Sequence, residues 1–455
     1  MSTLPEDPRW EHVSRARWFG GKGRGAVPLA LDALDWFAGP AATAQAPASQ
    51  PPGVRSEILT VGYPDSSREF YQLLLSYRAE PLDGAVIGHD ELGWIHDATK
   101  DPEAISALVR ALAHPRSSPD GPHAGPSALR WAAHLQQAQV FERPLAARPF
   151  EGEQSNSTVF LGDSALVKFF RRLEPGHNID VELHAALGRS GVHDVDALYG
   201  WVDAALPEHI AGQGARADLL MVSQQLEVLD EGWTLGVHCA GTGTDFGRQA
   251  TELGAALARV HAALARALPT EEVDGGQLAD AMTARLDAAA AQAPQLARLR
   301  GPIAAVFDRL RGRRLAAQRI HGDFHLGQTL STSSGWKIID WEGEPLKSLA
   351  QRARPDSVWR DVAGMLRSLG YARAVGHGTP AWQRQAADAF LTAYQTHATT
   401  PPDTDTLSAY VVDKAVYEVV YETHNRPGWV HIPMQAVMDI VAPGGTATRR
   451  PEDGS

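Results

Sequence analysis

A chain of 455 residues with 44% apolar and 21% charged side chains has a soluble globular composition, and at roughly 100–200 residues per domain it exceeds one hydrophobic core. Its 42 basic and 54 acidic residues leave a formal charge of −12, which repels a polyphosphate backbone and disfavours general nucleic-acid binding, though not a local basic cleft. The charged opening lacks the apolar core of a signal peptide and no segment holds about 18 uninterrupted apolar residues, so the expectation is a cytoplasmic protein with no membrane partner.

Residues 39–53 and 114–127, crowded with Pro, Gly, Ala and Ser, read as linkers or long loops that set off an N-terminal part. Within that part 68–77 (REFYQLLLSY) has strand character, and 101–115 reads as a helix with Asp101 as N-cap and Pro102 in the first turn. The expected division is a cap subdomain over 1–90, a mostly helical connector over 91–148, and a strand-rich region over 149–235. In that region 157–170 (STVFLGDSALVKFF) forms a hairpin about LGDS. Residues 179–189 form a helix burying Val181, Leu183, Ala186 and Leu187, 218–228 form a strand, and 247–268 form a long amphipathic helix. Strands first and helices afterwards predict an α+β lobe followed by a helical lobe over 236–440, with a disordered tail over 441–455. The lone cysteine, Cys239, excludes an intramolecular disulfide and is read as a packed residue.

The chemistry is concentrated in HGDFHLGQ, 321–328. In phosphoryl transfer the protein mainly supplies a lysine for the phosphates, oxygen ligands for magnesium and a carboxylate that orients the acceptor hydroxyl. Gln328 follows Asp323 by five positions, the offset between Asp and Asn in a kinase catalytic loop, and its amide oxygen is a hard donor suited to magnesium. Twelve residues further the apolar run GWKIID ends at Asp340, so a loop facing a strand end lets Gln328 and Asp340 share one metal. Lys168 lies in the apolar strand ALVKFF, where an ammonium is costly unless it reaches an anion, and Glu182 opens the next helix as its partner.

These pieces resemble the bacterial maltokinases and their relatives in the aminoglycoside-phosphotransferase and choline-kinase group of eukaryotic-like kinases. The likeness rests on RWFGGKGRG (17–25), EQSNSTVF (153–160), KFFRR (168–172), HGDFHLGQTL (321–330), IIDWEGEP (338–345), PDSVWRDVAGMLRS (355–368) and YETHNRPGW (421–429). It implies an α+β bilobal kinase fold with an N-terminal cap and a mostly helical C-terminal lobe, ATP as cosubstrate, Mg2+ as cofactor and a small sugar as acceptor, with no obligate protein partner. It makes Asp323 the catalytic base, Gln328 and Asp340 the metal ligands, Lys168 the phosphate contact and Glu182 its partner. The adenine is placed against a hinge near Gln225, Glu227 and Val228, and the phosphates under Ser155, Asn156 and Ser157, although that loop lacks the glycines of a protein-kinase loop.

Other readings stand beside these. A His/Asp cluster such as HGDFH suits a metal-dependent hydrolase, but no second cluster completes the ligand set. A non-catalytic pseudokinase is disfavoured by the full set of polar parts. GGKGRG is not a Walker phosphate loop and reads as a turn, although Lys22 and Arg24 on a mobile cap would suit a lid. Lys414, Glu418 and Glu422 recur every four residues on one helical face, either solvated or, with Tyr421 and Trp429, walling the sugar pocket. His325, Glu342 and Glu344 are further sugar-site candidates, while His321 and His325 also suit loop-structural roles and Asp361 and Arg367 a bracing role from a buried helix. Some actinobacterial members of the group phosphorylate glucosamine instead of maltose. Maltokinases usually read D-F-E-G-E-P where this chain has Asp340-Trp341-Glu342-Gly343-Glu344-Pro345. Carboxylates suit an aminosugar ammonium as well as they suit maltose hydroxyls, and glucosamine is preferred with maltose as the alternative.

Overall fold

The computed structural model describes residues 4–39, 51–113, 131–137, 140, 145–150, 156–212, 214–344, 348–442, 445 and 447. Most of both expected linkers, Ser155 and most of the 441–455 tail lie outside the described residues. The chain divides into two compact units, Met1–Glu182 with Ala197–Leu226 and Leu183–Asp196 with Glu227–Ser455.

The first unit opens with α1 (Pro8–Arg15), started by Pro8 and capped by Asp7, whose carboxylate accepts the Arg9 N–H at 2.9 Å. Five strands follow, β1 (Val27–Ala33), β2 (Gly53–Gly62), β3 (Arg68–Arg78), β4 (Val86–Asp90) and β5 (Gly93–Asp97), and then α2 (Pro102–Ala113). As expected, Asp101 caps α2, accepting the Ala104 N–H at 3.1 Å. The strands form an antiparallel sheet in the order β1-β2-β3-β5-β4. Alternation along β3 sends Tyr71, Leu73, Leu75 and Tyr77 to one face, where they pack with Val13 of α1, Phe19 and Ile95. Because β5 pairs with β3 and β4, the cap sheet continues past the boundary expected at residue 90. The described part of the expected helical connector also carries strands, β5 and β6 (Trp131–Leu135).

The second sheet adds β7 (Ala147–Pro149), β8 (Ser157–Leu161), β9 (Ala165–Phe169), β11 (Leu198–Ala205) and β12 (Arg216–Gln224), ordered β6-β11-β12-β9-β8-β7, while β10 (Arg172–Leu173) pairs with β3. The β8–β9 hairpin is the one the LGDS turn predicts, with Thr158 opposite Lys168. Helix α3 (Ile179–Arg189) has the predicted bounds and buries Val181, Leu183, Ala186 and Leu187. The strand expected over 218–228 stops at Gln224, and α4 (Glu208–Ala211) is a single turn before it.

The second unit begins with β13 (Val228–Glu231), α5 (Gly232–Thr242), α6 (Gly247–Ala267), β14 (Glu271–Asp274), α7 (Gly275–Gln292), α8 (Pro294–Ala297) and α9 (Arg300–Asp308). It continues through β15 (Arg314–Ala317), β16 (Thr329–Thr332), β17 (Gly335–Ile338), α10 (Leu349–Arg352), α11 (Trp359–Val375), α12 (Pro380–His397), α13 (Thr404–Asn425) and α14 (His431–Val441). The antiparallel ribbons β13-β16-β17 and β14-β15 flank residues 319–328 in sequence. Helix α11 is buried along most of its length, through Val362, Ala363, Met365, Leu369 and Ala372, and α5, α12, α13 and α14 pack around it. Among the described residues no helix is long and apolar enough to cross a membrane.

Candidate active site

In the second unit the stretch 319–325, between the Gln318–Asp356 bridge and a 3-10 turn at Leu326–Gln328, has no regular structure, so its backbone polar groups need other partners. Asp361 in the first turn of α11 supplies two, accepting the N–H of His321 and of Gly322 at 2.8 Å each. The same carboxylate lies 3.0 Å from His261 Nε2, and His261 Nδ1 is 2.8 Å from the Tyr394 hydroxyl. Burial raises the Asp361 pKa, but the His261 hydrogen bond and the loop N–H groups outweigh it and hold the carboxyl below its ordinary range. Helix and loop also touch through backbone, since a Cβ on Gly364 would lie 2.3 Å from the Phe324 carbonyl oxygen. Only glycine lets α11 come that near.

The loop histidines work locally. His321 Nδ1 accepts the Asp323 N–H at 3.3 Å, so Nε2 is the nitrogen that donates to the Ile339 carbonyl at 2.9 Å. His325 Nδ1 accepts the Gly327 N–H at 3.0 Å, capping the 3-10 turn Leu326–Gln328, while its Nε2 lies 4.0 Å from Asp323. Burial pushes the His325 pKa down, against the pull of Asp323, and favours the neutral ring. Both rings therefore have the structural roles expected of them.

Asp323 projects from this frame partly exposed, with Lys414 Nζ of α13 3.4 Å from Oδ1. Gln328 Nε2 donates to Asp340 Oδ2 at 3.2 Å, so the side chains expected to share a metal are neighbours. The preceding strand β17 ends at Ile338 rather than Asp340. Asp340 instead has φ of 60° in the left-handed region, a conformation tolerated by Asp that turns the chain after the strand. Trp341 fastens the turn from below, fully buried and donating Nε1–H to the Ile338 carbonyl at 3.1 Å.

The expected sugar wall is rearranged by arginines. Glu344 accepts from Arg360 at 2.5 Å, and Arg360 also reaches Asp356 at 3.0 Å and the Gly322 carbonyl at 3.3 Å. Glu342 receives Arg352 on its carbonyl oxygen at 2.7 Å. Glu418 accepts from Arg367 at 2.9 Å. Glu422 is 1% exposed, bidentate with Arg426 at 2.9 and 2.8 Å and hydrogen-bonded to the Tyr371 hydroxyl at 3.0 Å. That engagement leaves Glu422 buried and bonded to protein groups, where the sequence analysis expected a carboxylate facing sugar. The Arg426 guanidinium lies 4.4 Å from the Trp429 ring centroid, so a sugar does not stack on the face it occupies. Tyr421 remains 44% exposed beside Tyr417, which the sequence analysis left outside the site. Lys414, Glu418 and Glu422 share a face but have three different partners.

In the first unit Lys168 is held by Asp180, Nζ to Oδ2 at 2.7 Å, in a strand whose Ala165, Val167 and Phe169 are buried. Asp180 stands in the first turn of α3, two positions before the expected partner Glu182, which is partly buried in the same turn. Asn156 Oδ1 accepts the Arg171 N–H at 3.1 Å and Ser157 Oγ accepts from Arg171 Nε at 2.8 Å. Their side-chain acceptors therefore serve protein groups, a role the sequence analysis missed. Gln225 N–H donates to the Ser164 carbonyl at 3.1 Å, Glu227 is exposed, and Val228 begins β13 opposite Thr332. The GGKGRG segment is a turn, as its spacing suggests, and Arg24 is tied to Glu69 at 2.9 Å. Cys239 is buried and its thiol pKa is pushed up by burial, which fits a packed residue.

A family model described as the phosphotransferase enzyme family matches residues 146–408, more than half of the sequence, including Lys168, Asp323, Gln328 and Asp340. The chain belongs to that family. A second model, the maltokinase N-terminal cap domain, matches residues 12–101, in agreement with the cap sheet reaching Asp97. A glucosamine kinase of Streptacidiphilus jiangxiensis is 30% identical over 376 residues, 73% of this chain and 80% of that protein. A glucosamine kinase of Mycolicibacterium smegmatis is 26% identical over 361 residues, 72% of this chain and 85% of that protein. Among solved structures, a glucosamine kinase in complex with glucosamine, ADP and inorganic phosphate has a TM-score of 0.68 at 24% identity, covering 95% of this chain and 99% of that one. At that identity the likeness shows a shared kinase fold.

Proposed function

We propose that this phosphotransferase is an ATP-dependent sugar kinase that transfers the γ-phosphate to the 6-hydroxyl of D-glucosamine, giving glucosamine 6-phosphate. The observation that carries the reading is the assembly of Asp323, Gln328 and Asp340 on one braced loop and strand end, in a chain whose curated relatives over 72–73% of its length are glucosamine kinases. Asp323 accepts the proton of the attacking hydroxyl, a task for which a partly exposed carboxylate on a fixed backbone is suited. Asp361, by gripping the two N–H groups before Asp323, keeps that carboxylate oriented. Lys168 neutralises phosphate charge, with Asp180 holding the ammonium in place.

Gln328 and Asp340, whose side chains are neighbours, offer a neutral amide oxygen and a carboxylate, both hard donors suited to a small divalent cation. When bound, magnesium would offset charge on the β- and γ-phosphates. Ser155, Asn156 and Ser157 cover the phosphates, and Gln225, Glu227 and Val228 border the adenine. Tyr421, Glu342 and Glu418 contact the sugar, with His325 beside Asp323 and Glu344, Glu422 and Trp429 held behind by arginines.

A second reading, phosphorylation of the anomeric hydroxyl of maltose, is favoured by the match to the maltokinase cap over residues 12–101. Incubation with ATP, magnesium and each sugar separately, with phosphate position read by NMR, tests both. Glucosamine 6-phosphate as the main product is the expected result. Maltose 1-phosphate would replace the reading, and no turnover on any mono- or disaccharide would remove the acceptor class.

A further inference from the structure

The segment KFFRR connects two sheets of the first unit, since Lys168 and Phe169 close β9 in one and Arg172–Leu173 forms β10 in the other. Between them Arg171 is 2% exposed and donates through its backbone N–H, its Nε and its NH2 group. Its backbone N–H and Nε bind Asn156 Oδ1 and Ser157 Oγ at 3.1 and 2.8 Å, where β8 begins. Its NH2 group faces Asp97 Oδ1 and Oδ2 at 3.2 and 3.3 Å and Thr99 Oγ1 at 3.2 Å, where the cap sheet ends. The guanidinium lies 5.0 Å from the Trp18 ring centroid, and the Arg171 carbonyl accepts the Gln72 N–H of β3 at 2.8 Å. The register sets Ser157 opposite Phe169 and Thr158 opposite Lys168, so the rung beside the one Arg171 clamps carries the phosphate lysine.

Resting on the nucleotide role given above to Lys168, Asn156 and Ser157, we infer that Arg171 is a positioning residue through which the cap sets the geometry of the ATP-phosphate contacts. The cap then acts as a fixed strut for nucleotide binding. A buried guanidinium with a planar fork satisfies both sides at once, and a lysine at this position cannot, because it has one nitrogen and no fork. Asp97 is the cap's half of the device. Its carboxyl experiences the raising effect of burial but is held below its ordinary range by Arg171 and Thr99. Arg24, bound to Glu69 with Tyr63 and Tyr71, ties the glycine-rich turn to this sheet, so the turn belongs to the strut. There a Cβ on Gly21 would meet the Phe19 ring at 2.4 Å, so a larger residue requires that ring to shift.

The test measures KM for ATP, KM for glucosamine, kcat, the Kd of a fluorescent ATP analogue and the melting temperature in Arg171→Lys, Asp97→Asn and Thr99→Val, with Lys168→Ala as reference. The expected result is a rise of about tenfold in KM for ATP and in the analogue Kd for Arg171→Lys and Asp97→Asn, and a smaller rise for Thr99→Val. KM for glucosamine should move less than twofold. Thr99→Val removes one oxygen from the network and keeps the ion pair, so it reads the effect if either charge variant fails to fold. Lowered melting temperatures with unchanged ATP constants would make Arg171 purely structural and overturn the inference while leaving the nucleotide reading intact. Full transfer by Lys168→Ala would overturn the nucleotide reading and the inference together.

Discussion

Two buried carboxylates, Asp361 in the helical unit and Glu69 in the cap, resolve the same energetic problem in different ways. Asp361 takes backbone N–H groups from His321 and Gly322 and a ring nitrogen from His261. Glu69 takes only side chains, the hydroxyls of Tyr63 and Tyr71 and the guanidinium of Arg24, with Arg172 at 3.3 Å. A carboxylate bound to backbone dictates the path of the chain at that point. One bound to side chains fixes where those side chains converge and leaves the backbone to its own hydrogen bonds. Burial drives both Tyr71 and, to about 12, Tyr63 upward, so the phenols stay protonated and able to donate to Glu69.

If the loop exists to present Asp323, Asp323→Asn should lower kcat by about 10²–10⁴-fold with a nearly unchanged melting temperature, since no interior contact is lost. A variant that retains phosphoryl transfer would remove Asp323 as the base. Asp361→Asn should cost about 3 kcal/mol in urea melts and reduce kcat as well, because one oxygen that now accepts becomes a donor facing N–H groups.

The pH dependence sharpens that test. The folded Asp361 pKa lies below its ordinary 3.8, so its contribution is complete above that value and is lost as pH falls through the lowered one. The stability gap between wild type and Asp361→Asn should therefore be widest above about pH 4 and narrow in more acid solution. A gap of constant size would separate the loss from ionisation of Asp361.

Gly364→Ala should cost about 1–3 kcal/mol and slow turnover, since the added carbon meets the Phe324 carbonyl 2.3 Å away. Glu69→Gln, on the cap side, should cost about 1 kcal/mol and leave the glucosamine KM unchanged. A kinetic defect as large as that of Asp361→Asn would erase the distinction between the two carboxylates.

The parts read most directly from sequence are those whose partners are near in the chain. The β8–β9 hairpin, the α3 bounds, Asp101 capping α2 and the two histidines bonding their own loop all follow from spacings of a few residues. The neighbouring of Gln328 and Asp340 was also accessible, because only a short hairpin, β16–β17, separates them. Asp180 was missed in favour of Glu182 because both acids lie in the first turn of α3, and spacing does not tell which one faces Lys168. The cap boundary at 90 fell one hairpin short, since β4 is closed by β5 through hydrogen bonds that no periodicity reveals.

Sequence alone determined which residue types are available for chemistry: a carboxylate, an amide and a second carboxylate at close spacing, and a lysine in an apolar strand, where an ammonium is costly without an anionic partner. Tertiary structure decided which charges are spent. Arg171 meets Asp97 across 74 positions, Lys414 meets Asp323 across 91, and Glu422 disappears from solvent against Tyr371 and Arg426. An ion pair depends on distance in space and on burial, and neither is written into the order of residues.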